Sequence, residues 1–234
     1  MEFFLERIEE VKTVHFEMVP FRFPQDLKEI IRRFPPGTLR LELGVQSLNP
    51  ETKALVHVLG ETDEELETLE FLRRETNAIV HADLIAGLPG ENMISFGAGF
   101  DRLWKVMSGV PETSFRGSFF EIQLGILKCL PGTPIIRHNE AYGMSYSTEP
   151  PYEVIETNAL SAAELEKIKN FARFWELLVN RNPFPGLTQR LFPPGETIFD
   201  KFMDISDKLL AHFGKNWGID QNELKRHLRK FLAF

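Results

Sequence analysis

At 234 residues with 43% hydrophobic content, the chain is long enough to bury a core as one or two domains. Its net charge of −7, from 27 basic against 34 acidic residues, argues against a general nucleic-acid or anionic-membrane surface. No apolar run reaches the ~18 residues of a spanning helix, the acids in "MEFFLERIEE" are unlike a signal peptide and predict a cytoplasmic protein, and the single Cys129 excludes an internal disulfide framework or a multi-thiolate metal site.

A short helical stretch leads into "TVHFEMVP" (13–20), the first of four β-rich runs. The others are "LRLELGVQS" (39–47), "AIVHADLIAGL" (78–88) and "SFFEIQLGILKCL" (118–130). Helical runs separate them, and that alternation predicts βαβ units with a parallel sheet. Asn49 before Pro50 predicts one helix start, Thr62 with Glu65 reads as a capping box for a second, and Asn92 opens a third through "MISFGAGFDRLWKVM". After the fourth strand, Thr133 and Pro134 open a short helix. The proline-rich stretch from Ser145 to Leu160 reads as a linker with fixed turns. Residues 1–145 are thus expected as one domain, and 146–234 as a linker and helical C-terminal domain. There Ser161 and Glu164 cap a helix to about Asn180, "NPFPGLTQRLFPPGE" reads as a loop, and two more helices follow, the first ending at Gly214. Phe171, Phe174, Trp175 and Leu178 have the spacing of a helical core face.

Side chains alternate along a strand, so each strand has two faces. Leu39, Leu41, Leu43 and Val45 oppose Arg40, Glu42, Gly44 and Gln46. Val14, Phe16 and Met18 oppose His15 and Glu17, Ala82, Leu84 and Ala86 oppose His81 and Asp83, and Ile122 and Leu124 oppose Glu121 and Gln123. Every strand therefore offers one carboxylate on a polar face. In a dry core each unpaired carboxylate would cost several kcal/mol, and four would rival a whole domain's stability of about 5–15 kcal/mol. That face must be wet or ligated. The expected architecture is α/β: a partial (β/α) TIM-like barrel of about four parallel strands around a cavity, with the site at the strands' C-terminal ends. The alternative is an open sheet with one solvated face, its carboxylates pairing with Arg40. Gly44, Gly87, Gly90 and Gly125, at or near strand ends, would let backbone approach a ligand.

In that order, "HFEMVP", "LRLELGVQSLNPETKAL", "HADLIAGLPGE" and "GILKCLPGTPI" resemble the second half of the radical S-adenosylmethionine barrel, as in oxygen-independent coproporphyrinogen dehydrogenases and methylthiotransferases. "YGMSYSTEPPYEV" and the helical tail resemble the subgroup in which a cobalamin-binding domain precedes the barrel. The resemblance implies a [4Fe-4S] cluster held by a Cys-x3-Cys-x2-Cys loop, chelating S-adenosylmethionine and cleaving it to a 5'-deoxyadenosyl radical. That loop is absent here, so the chain is expected to be a fragment, catalytically inert by itself, of an enzyme acting on an unidentified substrate. By position, the resemblance places Glu17, Gln46 and Asp83 against S-adenosylmethionine. Val58, beside His57, stands where several relatives carry an arginine that pairs with the cofactor carboxylate.

His15 and His81 lack metal-ligand spacing and read as hydrogen-bonded cavity residues, and Cys129 as a buried thiol. Two other readings stand beside the leading one. A metal-dependent hydrolase or lyase would use Glu17, Glu42, Asp83 and Glu121. A non-catalytic binding or dimerisation module would pair through an exposed barrel edge.

Overall fold

The computed structural model describes residues 1–58, 60–108, 120–192 and 196–231. Two short helices, α1 (Glu2–Leu5) and α2 (Ile8–Val11), lead into β1 (Val14–Met18). Then α3 (Gln25–Arg32), β2 (Leu39–Gln46), α4 (Pro50–Val56), α5 (Thr62–Glu75), β3 (Ile79–Ala86), α6 (Met93–Ser108) and β4 (Phe120–Ile126) follow. The four strands form one parallel sheet in the order β1-β2-β3-β4. Residues 118 and 119 of the expected fourth strand lie outside the described residues.

The alternation read from the sequence sets the sheet's two sides. Leu39, Leu41, Leu43 and Val45 are fully buried, as are Ala82 and Ala86, while Glu17 is exposed and Glu42 and Asp83 only partly covered. The helices start as local chemistry dictates. The Asn49 side chain accepts from the Glu51 N–H at 3.1 Å, and the Asn92 side chain accepts from the Ser95 N–H at 2.9 Å. The capping box expected at Thr62 does not form. The Thr62 hydroxyl donates to the Leu48 carbonyl, and Glu65 turns into the core to meet Lys53 at 2.7 Å, both side chains being buried. A buried lysine in α4 competes successfully for the carboxylate that would have closed the box, because an unpaired buried cation costs more than an uncapped helix start.

Past β4 come a 3₁₀ turn (Pro134–His138), α7 (Asn139–Tyr142), and β5 (Ser145–Tyr146) paired antiparallel with β6 (Val154–Glu156). The stretch expected as a linker thus carries a hairpin, which docks on the end of β4. The Val154 N–H donates to the Leu127 carbonyl, the Cys129 N–H donates to the Tyr152 carbonyl, and Val154 is fully buried.

The capping box at Ser161 and Glu164 is present and opens α8 (Ala162–Trp175), which continues as a π-helical turn to Asn180. The expected loop after it contains a helix, α9 (Pro185–Leu191), for which a proline at the first position supplies the fixed φ of a helix start. Then come α10 (Phe199–Phe213), ending at Gly214 in the left-handed conformation, and α11 (Gln221–Phe231). Long-range hydrogen bonds help fasten this helical part to the sheet part. Asp101 of α6 accepts from the Ile198 and Phe199 N–H groups at the start of α10, at 2.7 and 2.9 Å. The Asn180 side chain donates to the Ile122 carbonyl at 3.0 Å, covering the outer edge of β4. Among the described residues no helix is long and apolar enough to cross a membrane.

Candidate functional site

Three parallel strands bring Glu17, Glu42, Gly44, Gln46 and Asp83 to the wall of one open cavity of about 480 Å³. The register does this directly, since Glu17 lies beside Glu42 and Gly44 beside Asp83. Gln46 reaches the cavity through an irregularity. The β2–β3 pairing shifts register between Gly44 and Gln46, and Gln46 sits at φ +64°, a conformation that costs a non-glycine residue about 1–3 kcal/mol. Its amide then folds over Gly44, so closely that a Cβ on Gly44 would stand 2.7 Å from Gln46 Nε2.

The carboxylates on the polar face divide into two kinds. Glu42 has His15 at 3.2 Å, and Glu121 has His81 at 3.3 Å, with Gln123 Nε2 2.7 Å from His81 Nδ1. The pairing with Arg40 that the alternative reading invoked is not found among the described residues. Arg40 is exposed and forms no ion pair among the described residues, because the histidines reach the acids along the strand face first. Asp83 is different. Its Oδ1 is buried without a hydrogen-bond partner among the described residues, and burial, then Glu42, then Glu17 push its carboxyl up to about 7. No group of three His, Cys, Asp or Glu among the described residues converges as a metal ligand set.

Gly87 and Gly90 do not line this cavity. Gly87 takes φ +88°, and a Cβ there would strike Val154 Cγ1 at 2.4 Å, so the hairpin packs against it. Gly90 takes φ +78° in the turn after β3, between Leu55 and Tyr142. Cys129 is half-buried beyond β4, near Tyr146. Val58 is half-buried, and His57 ends α4 in the left-handed conformation.

Beside the cavity lies a contact that strand phase does not reveal. The Ser47 hydroxyl donates to Glu91 Oε1 at 2.6 Å, deep in the protein, and burial pushes the Glu91 carboxyl up to about 7. The pair clamps the end of "GVQS" to the end of "DLIAGLPGE", holding the turn after β2 against the turn after β3. The signal available in sequence was a small hydroxyl and an acid, each closing a strand-to-helix turn.

A family model described as a protein of unknown function (DUF4080) matches residues 140–233. No curated protein matches the sequence. Among solved structures, coproporphyrinogen III oxidase (HemN) from Escherichia coli, described as a radical SAM enzyme, is 19% identical with a TM-score of 0.46, over 70% of this chain and 32% of its own. The radical S-adenosylmethionine methyltransferase TsrM from Kitasatospora setae, solved with tryptophan substrate and a SAM analogue, is 12% identical with a TM-score of 0.46, over 70% and 31%. Elp3 from Methanocaldococcus infernus is 12% identical with a TM-score of 0.47, over 86% and 42%. The chain spans about a third of the length of the first two.

Proposed function

We propose that this chain supplies the S-adenosylmethionine-facing part of a radical S-adenosylmethionine enzyme whose cluster ligands lie on other residues than its own. The observation that carries the reading is the half-buried Asp83, whose Oδ1 has no hydrogen-bond partner among the described residues, at the wall of an acidic cavity at the strands' C-terminal ends. S-adenosylmethionine carries a sulfonium, an ammonium and two ribose hydroxyls, so it suits a wall of acceptors. Asp83 and Glu17 accept from hydroxyls or ammonium, and Gln46 both donates and accepts. Burial, and after it the neighbouring Glu42 and Glu17, raise the Asp83 carboxyl to about 7, and a cationic ligand would relieve the repulsive part of that shift.

The residues present do not fit the iron–sulfur cluster. One cysteine cannot supply three thiolates, and Cys129 does not line the cavity. No chemical step is therefore assigned to this chain, and its part is to bind and orient the cofactor. Calorimetric titration of the chain with S-adenosylmethionine tests this. Without iron to chelate the amino-acid end, saturable binding is expected with Kd on the order of 0.1–1 mM. Heats of dilution alone up to several millimolar would overturn the reading. Anaerobic reconstitution with iron and sulfide is expected to load no stoichiometric four-iron cluster, and a stoichiometric one would contradict the division of labour.

A further inference from the structure

The chain is strained at Gln46. The Ser47 N–H donates to the Val45 carbonyl at 2.8 Å, closing a three-residue turn with Gln46 at its centre at φ +64°. Such a turn is rare and suits glycine, so a glutamine at its centre points to a use for the side chain. Its amide lies over Gly44, at the wall of the acidic cavity. The residues that follow are tied down from several sides. Ser47 is 2% exposed, and its hydroxyl donates to Glu91 Oε1 at 2.6 Å and accepts from the Asn49 N–H at 3.0 Å. Glu91 is 1% exposed and is fixed in the turn after β3, where its N–H donates to the Leu88 carbonyl at 3.2 Å. A strained residue persists only where its surroundings over-determine it, and these buried contacts do so.

We infer that the buried Ser47–Glu91 contact is a positioning device for the acidic cavity: it holds the chain at Gln46 in the strained turn and thereby keeps the Gln46 amide at the cavity wall. Neither Ser47 nor Glu91 lines the cavity, so both act through Gln46. With the contact broken, the turn relaxes toward negative φ and the amide leaves Gly44. The contact also ties the end of β2, which carries Gln46, to the turn after β3, which carries Asp83, so it sets the two polar groups relative to one another. In naming S-adenosylmethionine as the ligand, the inference rests on the function proposed above; the conformation of Gln46 does not depend on it.

The test is a double-mutant cycle on the full chain, read by calorimetric titration with S-adenosylmethionine. Ser47→Ala is expected to weaken binding about fivefold in the parent protein, and by less than about twofold once Gln46→Ala has removed the amide. Glu91→Gln keeps an acceptor for the Ser47 hydroxyl and is expected to hold affinity within about twofold of the parent, whereas Glu91→Leu should lose as much as Ser47→Ala. A merely structural role would lower the thermal midpoint and leave affinity unchanged, or lower affinity equally with and without the Gln46 amide; either result overturns the inference. Should Ser47→Ala unfold, the paired replacement Ser47→Ala with Glu91→Leu, which leaves no carboxyl buried without its partner, takes its place. The Gln46 Cα and Cβ chemical shifts of the ligand-free protein separate this inference from the cofactor reading. They are expected to move to values of ordinary negative φ in Ser47→Ala, and unchanged shifts overturn the inference whether or not the cofactor binds. Moved shifts in a protein whose parent binds no S-adenosylmethionine uphold the positioning of Gln46 and sink the cofactor reading instead.

Discussion

Between α6, α8 and α10, Phe100 and Phe202 each pack edge to face on Phe171 and Trp175 with ring centroids 4.7 to 5.1 Å apart, Phe171 and Trp175 stack at 5.8 Å, and all four are fully buried. On the polar face of the sheet, Asp83 keeps an oxygen unpartnered and Gln46 a strained backbone. The first region is filled by packed rings, though the Trp175 indole N–H has no hydrogen-bond partner among the described residues. The second has an acceptor, Asp83 Oδ1, that none of the described residues satisfies, at the wall of an open cavity. Stability and ligand binding should therefore separate by region, and substitutions can break or sharpen that separation.

The largest effect is expected for Trp175→Ala. Emptying the centre of the aromatic layer should lower the unfolding free energy by about 3–5 kcal/mol in urea denaturation, with S-adenosylmethionine affinity of the remaining folded protein unchanged. A loss of affinity matching the loss of stability would erase the contrast.

Asp83→Asn should do the reverse. It is expected to weaken S-adenosylmethionine binding about tenfold while raising stability by about 1 kcal/mol at pH 8, because an uncompensated half-buried charge is removed. The direction with pH follows from burial. Asp83, Glu65 and Glu91 have folded-state values raised to about 7, above those of the unfolded chain. Their contribution to stability is full below about pH 4, where both states are protonated, and is lost as pH rises through 7. Unfolding midpoints should fall over that window, less steeply in the Asp83→Asn protein. Affinity for the cationic cofactor should run the other way, rising from pH 6 to 8 as Asp83 ionises.

Gly44→Ala is the smallest change. Its Cβ displaces the Gln46 amide, the far end of a flexible side chain, so stability should stay within about 0.5 kcal/mol while affinity falls about threefold.

What was legible in the sequence is what local periodicity and local capping decide. The faces of β1 to β4, the caps at Asn49, Asn92 and Ser161, and the stop at Gly214 all follow from neighbours within one turn or one pleat. The differences arise wherever a distant partner decides. Glu65 leaves its capping position for Lys53, the β5–β6 hairpin meets hydrogen-bonding groups of Leu127 and Cys129 just past β4, and Glu42 and Glu121 meet histidines on neighbouring strands rather than Arg40. Of the residues expected around a ligand, Glu17, Gly44, Gln46 and Asp83 share the cavity, because strand phase and parallel register place them, whereas Gly125 lies on a different concavity. Gly87 and Gly90 do not line it. Gly87 answers the packing of Val154, and Gly90 a turn that requires positive φ. The Ser47–Glu91 contact needed two turns to be brought side by side, which no single window of sequence contains.

The central claim is that the acidic cavity recognises the cationic form of an adenosylated amino acid. Parallel titrations at pH 8 with S-adenosylmethionine and with S-adenosylhomocysteine, which lacks the sulfonium charge, test it most directly. The account predicts at least fivefold tighter binding of S-adenosylmethionine, with the preference lost in the Asp83→Asn protein. Equal affinities in the parent protein, or a preference that survives the substitution, would contradict it.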